Sequence, residues 1–275
     1  MKKIHKIALF GHPVKHSLSP QIHHFFAKQF TLEIDYQLHD VQAQDFPLAV
    51  NDFFSSGGWG ANVTLPYKSL ALQCVKKISP LAQTSQVANT FYYDQQQNLC
   101  ASTTDGIGFL HDLNKRCQFN CKHKNILILG AGGAAAGIVP AIMQQQPTSL
   151  VLANRSLEKA KKILHYKNTQ ALSLAELEKY PHAFDLIIHA SSLGHLGQTL
   201  KFSTAHSHAN TLCYDLSYGQ AAQPFLAFCS NTGIKYCFDG IGMLVEQAAC
   251  AFELWFNKKP STHEILAPNS RLLVL

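Results

Sequence analysis

Lys68 closes the run Asn62-Val-Thr-Leu-Pro-Tyr-Lys, where a strand-like apolar stretch gives way to polar groups. In a parallel sheet the carboxyl ends of strands are where ligands bind. Lys68 to Ile78 reads as a helix, and a cation at a helix start opposes the dipole, so Lys68 lacks a stability motive there. The plainer reading is an exposed lysine after a turn. Asp105, in Thr104-Asp105-Gly106, has two jobs open to it: capping the helix that continues to Lys115, or facing Lys68 as its partner in proton transfer. A third group, Ser17, stands in His16-Ser17-Leu18-Ser19-Pro20. Ser19 and Pro20 read as N-cap and N1 of a helix with Ile22, Phe25, Phe26 and Phe30 on one face, which gives Ser19 a structural reason. Ser17, just outside that helix, has none and is placed to bind a carboxylate.

A second chemistry is written in Asn125-Ile-Leu-Ile-Leu-Gly130-Ala131-Gly132-Gly133-Ala134-Ala135-Ala136-Gly137. It reads as strand, tight turn and helix N-terminus. Gly130 permits the turn, Gly132 lets backbone approach a phosphate, and Ala135 or Ala136 lets the helix pack close on the strand. The exposed N–H groups and helix dipole then hold a pyrophosphate. The next strand, Ser149 to Asn154, ends about 20 residues on, where NAD-binding folds place an acid for the ribose 2′-hydroxyl. Asn154, Arg155 and Ser156 stand there instead, followed by Lys159. Two cations and two neutral hydrogen-bonding groups suit a dianionic 2′-phosphate and favour NADP over NAD, the plainer reading being solvated residues at a helix start.

The elements that must position these residues fit the composition. With 275 residues, 47% hydrophobic and 15% charged, the chain can bury the cores of one large or two medium α/β domains. The basic start is followed by an apolar run too short for a signal peptide, and no stretch approaches a membrane span, so a cytoplasmic location is expected. Eight scattered cysteines without a Cys-x-x-Cys pair read as free thiols. Among fifteen histidines, His12, His16, His23 and His24 invite a metal, but Pro13 and the Ser-Leu-Ser-Pro turn break any single helix that could align them, so no metal is expected. The net charge of +6 is unclustered, which points to an anionic small molecule and away from nucleic acid.

Strands at Lys6 to Phe10, Ile34 to Val41 and Trp59 to Thr64 alternate with helices, one carrying Phe46, Val50, Phe53 and Phe54, so a parallel sheet is indicated. A hairpin follows across Gln95 to Asn98. After the glycine-rich turn, helices at Ala160 to Leu164 and Ala175 to Tyr180 alternate with strands at Phe184 to Ser191, Leu212 to Leu216 and Tyr236 to Phe238. Residues 197–210, with His206 and His208, read as a surface loop. A helix from Met243 to Trp255 places Leu244, Ala248, Ala251 and Trp255 at helical spacing, and Met243 reads as core.

Eight short motifs occur in the order seen in shikimate dehydrogenases, and the resemblance covers nearly the whole chain. They are His16-Ser-Leu-Ser-Pro20, Asn62 to Lys68, Val87-Ala-Asn89-Thr90, Thr104-Asp-Gly106, Gly130 to Ala134, Asn154-Arg-Ser156, Asp215-Leu-Ser-Tyr218 and Gly240-Ile-Gly-Met243-Leu-Val-Glu-Gln247. The resemblance implies Lys68 and Asp105 as the catalytic pair. It implies Ser17, Ser19 and Tyr218 on a substrate carboxylate, and Thr64, Asn89, Asp105 and Gln247 on ring hydroxyls. Gly130 to Ala134, Asn154 to Ser156, Lys159, Gly240 and Met243 would hold the cofactor, with Met243 near the nicotinamide. The fold expected is two α/β domains: a substrate domain over residues 1–108, a Rossmann-type doubly wound NADP domain over 109–239, and C-terminal helices over 240–275 that return to the first. The cleft between them would hold the chemistry, in a monomer or homodimer.

The chain departs from the family pattern at Thr103, where Asn is usual, at Gln86 to Ala88 before Asn89, at His189-Ala-Ser-Ser-Leu-Gly194 in place of Asn-Ala-Thr-Ser-x-Gly, and at Gly219-Gln220, where Pro is common. Neither Lys68 nor Asp105 is touched. The rival readings are a relaxed quinate/shikimate dehydrogenase, whose NAD-using form Arg155 argues against, and a silent NADP-binding sensor, against which the retained Lys68 and Asp105 count. A methylenetetrahydrofolate dehydrogenase fits the Ser-Leu-Ser-Pro and Asn-Val-Thr motifs poorly.

Overall fold

The computed structural model describes residues 3–267, 270 and 272–273. The backbone forms two compact units: one takes in the chain up to Gly108 and from Leu244 onward, the other Phe109–Met243.

The first unit opens with β1 (Ile4–Gly11), α1 (Ser19–Gln29), β2 (Glu33–Asp40), α2 (Phe46–Ser55) and β3 (Gly60–Val63). It continues through β4 (Lys77–Ile78), α3 (Pro80–Ser85), β5 (Thr90–Tyr93) and β6 (Leu99–Ser102) to α4 (Asp105–Lys115), which carries the chain into the second unit. The strands lie in the order β2-β1-β3-β5-β6-β4. Alternating residues of β1 serve opposite faces: Ala8 and Phe10 meet Phe46, Val50 and Phe53 of α2, while Ile7 and Leu9 join a separate apolar cluster with Trp255. Each buried Ile, Leu, Val or Phe side chain among them contributes roughly 1.5–3 kcal/mol.

The sheet is mixed and not parallel throughout as the alternation of strands and helices implied: β1 runs parallel to β2 and β3, but β5 is antiparallel to both β3 and β6. The hairpin supplies β6 without a crossover, and a two-strand return is antiparallel by necessity. Lys68 to Ile78 is not one helix. A short 3₁₀ turn spans Leu70–Cys74, Val75 is extended, and Lys77–Ile78 pairs with Cys100 and Ala101 of β6. The ladder bonds offered by the sheet edge outweigh a weak local helical preference. The missed helix α3 carries a legible signal, since the Ser79 hydroxyl accepts the Ala82 N–H at 3.2 Å with Pro80 just inside.

At α1 the N-cap is Leu18, without a side-chain cap, and Ser19 is already helical. Ser17 does have a structural duty: its Oγ accepts the Ser19 N–H at 3.2 Å and lies 3.1 Å from the Ser19 hydroxyl. The buried face of α1 takes His23 along with Ile22 and Phe26, while Phe25 and Phe30 are half-buried.

The second unit is built from β7 (Asn125–Leu129), α5 (Gly133–Gln144), β8 (Ser149–Ala153), α6 (Leu157–Ile163), β9 (Thr169–Leu172) and α7 (Leu174–Glu178). It is completed by β10 (Leu186–His189), β11 (Leu212–Asp215), α8 (Gln223–Asn231) and β12 (Tyr236–Phe238). The six strands pair in parallel in the order β12-β11-β10-β7-β8-β9, the doubly wound order of dinucleotide-binding folds. Ile126 and Ile128 enter one apolar cluster and Leu127 and Leu129 another, so both faces of β7 are covered, as its continuous apolar run requires. Short β9 and α8 lack a periodic signal strong enough to read. The loop before β11 is not wholly superficial: it contains a 3₁₀ turn at Thr204–His206, and His206 is buried with Nε2 3.1 Å from the Tyr180 carbonyl.

Helix α9 (Ile241–Phe256) returns the chain to the first unit, and among the described residues it is the one helix after Gly240, where more than one was expected. No helix among the described residues is long and apolar enough to cross a membrane.

Candidate active site

In the first unit the fold joins residues that are distant in sequence. The strand β3 delivers Thr64 at its carboxyl end, where its N–H binds the Phe10 carbonyl at 2.9 Å, and the turn beyond it presents Lys68. Asp105 opens α4, but its side chain is not occupied in capping. Its Oδ2 accepts Lys68 Nζ at 2.7 Å, in a pair whose side chains are 13% and 4% exposed. Asp105 Oδ1 accepts Asn89 Nδ2 at 2.9 Å. Removing Asn89 leaves that oxygen without this donor in a nearly dry setting.

Gln247 reaches the same cluster from α9, with Oε1 3.1 Å from Asn89 Nδ2 and 3.2 Å from the Thr104 hydroxyl. Gly108 makes this possible, because a Cβ there would stand 2.4 Å from the Gln247 N. Lys68, Asn89, Asp105 and Gln247 are thus brought together by hydrogen bonds, Ser17 and Ser19 by another pair, and Thr64 stands at the end of the strand between β1 and β5. An ammonium held beside a carboxylate in low dielectric, with hydroxyl and amide groups around it, can exchange a proton with a bound alcohol or ketone.

In the second unit the glycine-rich turn follows β7 at the point where the strand order reverses. Gly130 has φ +112°, and a Cβ there would stand 2.7 Å from the Ala190 carbonyl, so glycine is required twice over. Gly132 forms the N-cap of α5 and a Cβ there would meet nothing within 4 Å, leaving its backbone open to a ligand. Gly133 and Ala134 begin the helix. A cavity of about 200 Å³ opens here, lined by Gly130, Ala131, Gly132, Asn154, Arg155, Ser156 and Lys159 together with Ala190, Ser191 and Ser192. Its charged lining is cationic. The Asn154 amide donates to the Ser156 carbonyl at 2.9 Å and fixes the turn from which Arg155 projects. This lining fits a dinucleotide carrying an additional phosphate.

The other two residues expected at the cofactor, Gly240 and Met243, have structural duties. Gly240 lies so close to the Leu216 carbonyl that a Cβ would approach to 2.3 Å, and Met243 is buried in the apolar cluster with Phe109 and Tyr214. Tyr218 follows β11 in an extended conformation. The departure at His189 is an internal substitution: the ring is fully buried, stacked on Phe225 at 4.8 Å, with Nδ1 3.0 Å from Asp215 Oδ2. It joins the ends of β10 and β11, while the following Ala190 keeps its place in the cavity wall. Sequence reading missed the buried polar line formed by Tyr36, Asn62 and Thr90. Its signal was two amides, Asn62 and Asn89, in otherwise apolar strand surroundings. No group of metal-ligating side chains occurs among the described residues, and all eight cysteines are free thiols.

Three segments match known families. Residues 9–91 match the shikimate dehydrogenase substrate binding domain, 112–217 the shikimate/quinate 5-dehydrogenase family, and 240–267 the shikimate 5′-dehydrogenase C-terminal domain. The chain is 40% identical over 265 residues to the NADP(+) shikimate dehydrogenase of Coxiella burnetii, covering 95% of this chain and 97% of that one. It is 41% identical to the enzyme of the same name from Legionella pneumophila, again over 265 residues. Among solved structures it resembles an Ael1 enzyme from Pseudomonas putida, with a TM-score of 0.84 and 32% identity over 94% of this chain and 95% of that one. It also resembles the Thermus thermophilus shikimate 5-dehydrogenase solved with NADP(H) and shikimate, with a TM-score of 0.81 and 28% identity over 94% and 95% of the chains. With motifs, strand order and these relatives in agreement over nearly its whole length, the chain belongs to the shikimate dehydrogenase family.

Proposed function

We propose that this protein is an NADP-dependent shikimate dehydrogenase that reversibly reduces 3-dehydroshikimate to shikimate, with Lys68 as the general acid and base. The observation that carries the reading is the Lys68–Asp105 pair, set among Asn89, Thr104 and Gln247. NADPH, when bound, supplies the hydride. As the substrate carbonyl gains that hydride its oxygen becomes an alkoxide, and the Lys68 ammonium stabilises the developing charge and gives up one proton to it. In the oxidative direction the Lys68 amine takes the proton back. Asp105 holds the ammonium by its Oδ2 and accepts a neighbouring substrate hydroxyl.

Ser17, Ser19 and Tyr218 hold the substrate carboxylate, and Thr64, Asn89 and Gln247 hold ring hydroxyls. Gly130 to Ala134 would receive the pyrophosphate, Asn154, Arg155, Ser156 and Lys159 the 2′-phosphate, and Gly240 and Met243 the nicotinamide end. The protein works in the cytoplasm, which suits its eight free thiols, as a monomer or homodimer.

Absorbance at the nicotinamide band tests this directly. Purified protein offered shikimate with NADP should reduce the cofactor faster than with quinate or with NAD. Turnover of quinate with NAD in preference would favour the broader quinate-using reading, and no turnover with tight NADP binding would favour a sensor.

A further inference from the structure

The polar line behind Asp105 is directional. The Tyr36 hydroxyl donates to Asn62 Oδ1 at 2.9 Å, and Asn62 Nδ2 donates to the Thr90 hydroxyl at 3.3 Å and to the Asn89 carbonyl at 3.2 Å. Thr90 then donates to Asn89 Oδ1 at 2.9 Å, which also accepts the Thr104 N–H at 2.9 Å. With Oδ1 so occupied, Asn89 must turn its NH₂ toward Asp105 Oδ1 and Gln247 Oε1. The reverse orientation would set its carbonyl against a carboxylate and its amide hydrogens against a backbone N–H. Every member of the line is buried, so an unmade bond is not replaced by water. Burial also pushes the Tyr36 phenol up, despite an opposing bond to Ser19, so the head of the line stays a donor.

We propose that Tyr36, Asn62 and Thr90 are positioning residues that act through Asn89, fixing the face of its amide so that Asp105 presents Oδ2 to Lys68. The inference rests on the reading of Lys68 and Asp105 as the catalytic pair. None of the three touches Lys68 or Asp105 by a hydrogen bond; each sets the next donor in the line.

Steady-state kinetics with shikimate and NADP test it, using Thr90→Val, Thr90→Ser, Tyr36→Phe and Thr90→Val combined with Asp105→Asn. Thr90→Val keeps the shape and leaves Asn62 Nδ2 bonded to the Asn89 carbonyl, so the fold should hold. Losing one bond of the line should lower kcat by about three- to tenfold in Thr90→Val, with a smaller loss in Tyr36→Phe. Thr90→Ser should restore wild-type kcat, and Thr90→Val should cost nothing further once Asp105 is Asn, because the line then has no carboxylate to present. If Thr90→Val and Tyr36→Phe, folded by thermal melting, turn over like the wild type, the inference is wrong. It is equally wrong if Thr90→Val costs the same factor in the Asp105→Asn background, which a merely structural role predicts. Should Thr90→Val fail to fold, Tyr36→Phe decides alone. A wild type that does not oxidise shikimate overturns the catalytic reading itself, an outcome distinct from variants that match an active wild type.

Discussion

Lys68 Nζ stands 2.7 Å from Asp105 Oδ2 although 37 residues separate them, and the aspartate's other oxygen is held by Asn89. A lysine so placed has its charge offset and its position fixed, which supports the proposed acid–base role. Lys68→Ala is expected to lower kcat by roughly 10²–10⁴-fold with a smaller change in the shikimate KM. Asp105→Asn should slow turnover and raise KM more, since it removes a hydroxyl acceptor as well as the lysine's partner. The two losses should not add. Should Lys68→Ala keep near-normal kcat and lose only KM, with Lys68→Arg nearly active, the lysine is an anchor and the acid–base role is rejected.

Cofactor choice is expected to follow Arg155. Losing a charge-assisted bond to the 2′-phosphate should cost about 1.5–3 kcal/mol, so Arg155→Ala should raise the NADP KM and leave that for NAD nearly unchanged. Gly132→Asp gives the complementary result. It keeps a good N-cap and its side chain begins in open space, yet its carboxylate faces the expected pyrophosphate. It should therefore weaken NADP and NAD alike without lowering the melting temperature. Equal losses for both cofactors in Arg155→Ala would remove the 2′-phosphate assignment.

Carboxylate binding is tested at Ser17 and Tyr218. Ser17→Ala also removes the bond to the Ser19 N–H, a net cost of about 0.5–1.5 kcal/mol, so a modest fall in melting temperature accompanies it. Beyond that, Ser17→Ala and Tyr218→Phe should each raise the shikimate KM, while binding of an analogue without the carboxylate stays unaffected. An analogue that binds wild type as well as shikimate does would contradict the assignment.

Stability should fall in mild acid because of His23. Its ring is fully buried against Tyr36 and Trp255, its nitrogens make no well-formed hydrogen bond, and desolvation, only partly opposed by the nearby Asn62 side chain, lowers its pKa from 6.5 to about 3. Below pH 6.5 the unfolded chain takes up a proton that the folded chain refuses until about pH 3, so this contribution is whole above 6.5 and is lost as pH falls. Between pH 6.5 and 5 the loss should approach 2 kcal/mol at most. Urea unfolding of wild type and His23→Leu at both pH values checks it: the wild type should lose more. Parallel losses would mean that His23 is charged or hydrated in the native state.

Much was legible from the sequence because it is local. A strand that is apolar on every residue, as at Asn125 to Leu129, must be covered on both faces, and a turn that passes through positive φ at Gly130 needs glycine whatever surrounds it. The absence of an acid after β8 is likewise written in order along the chain. What tertiary structure decided are the encounters between distant segments. Ladder bonds at the sheet edge drew Lys77 and Ile78 out of the expected helix, and the order β3-β5-β6 set Asn89 and Asp105 beside Lys68. The turn before α1 gave Ser17 a donor to satisfy, and packing turned His206 inward from a segment expected to be a surface loop and buried His23 on the apolar face of α1. Local preferences are worth tenths of a kilocalorie per residue, whereas a satisfied ladder or a filled core is worth several kilocalories, so wherever the two compete the long-range contacts prevail.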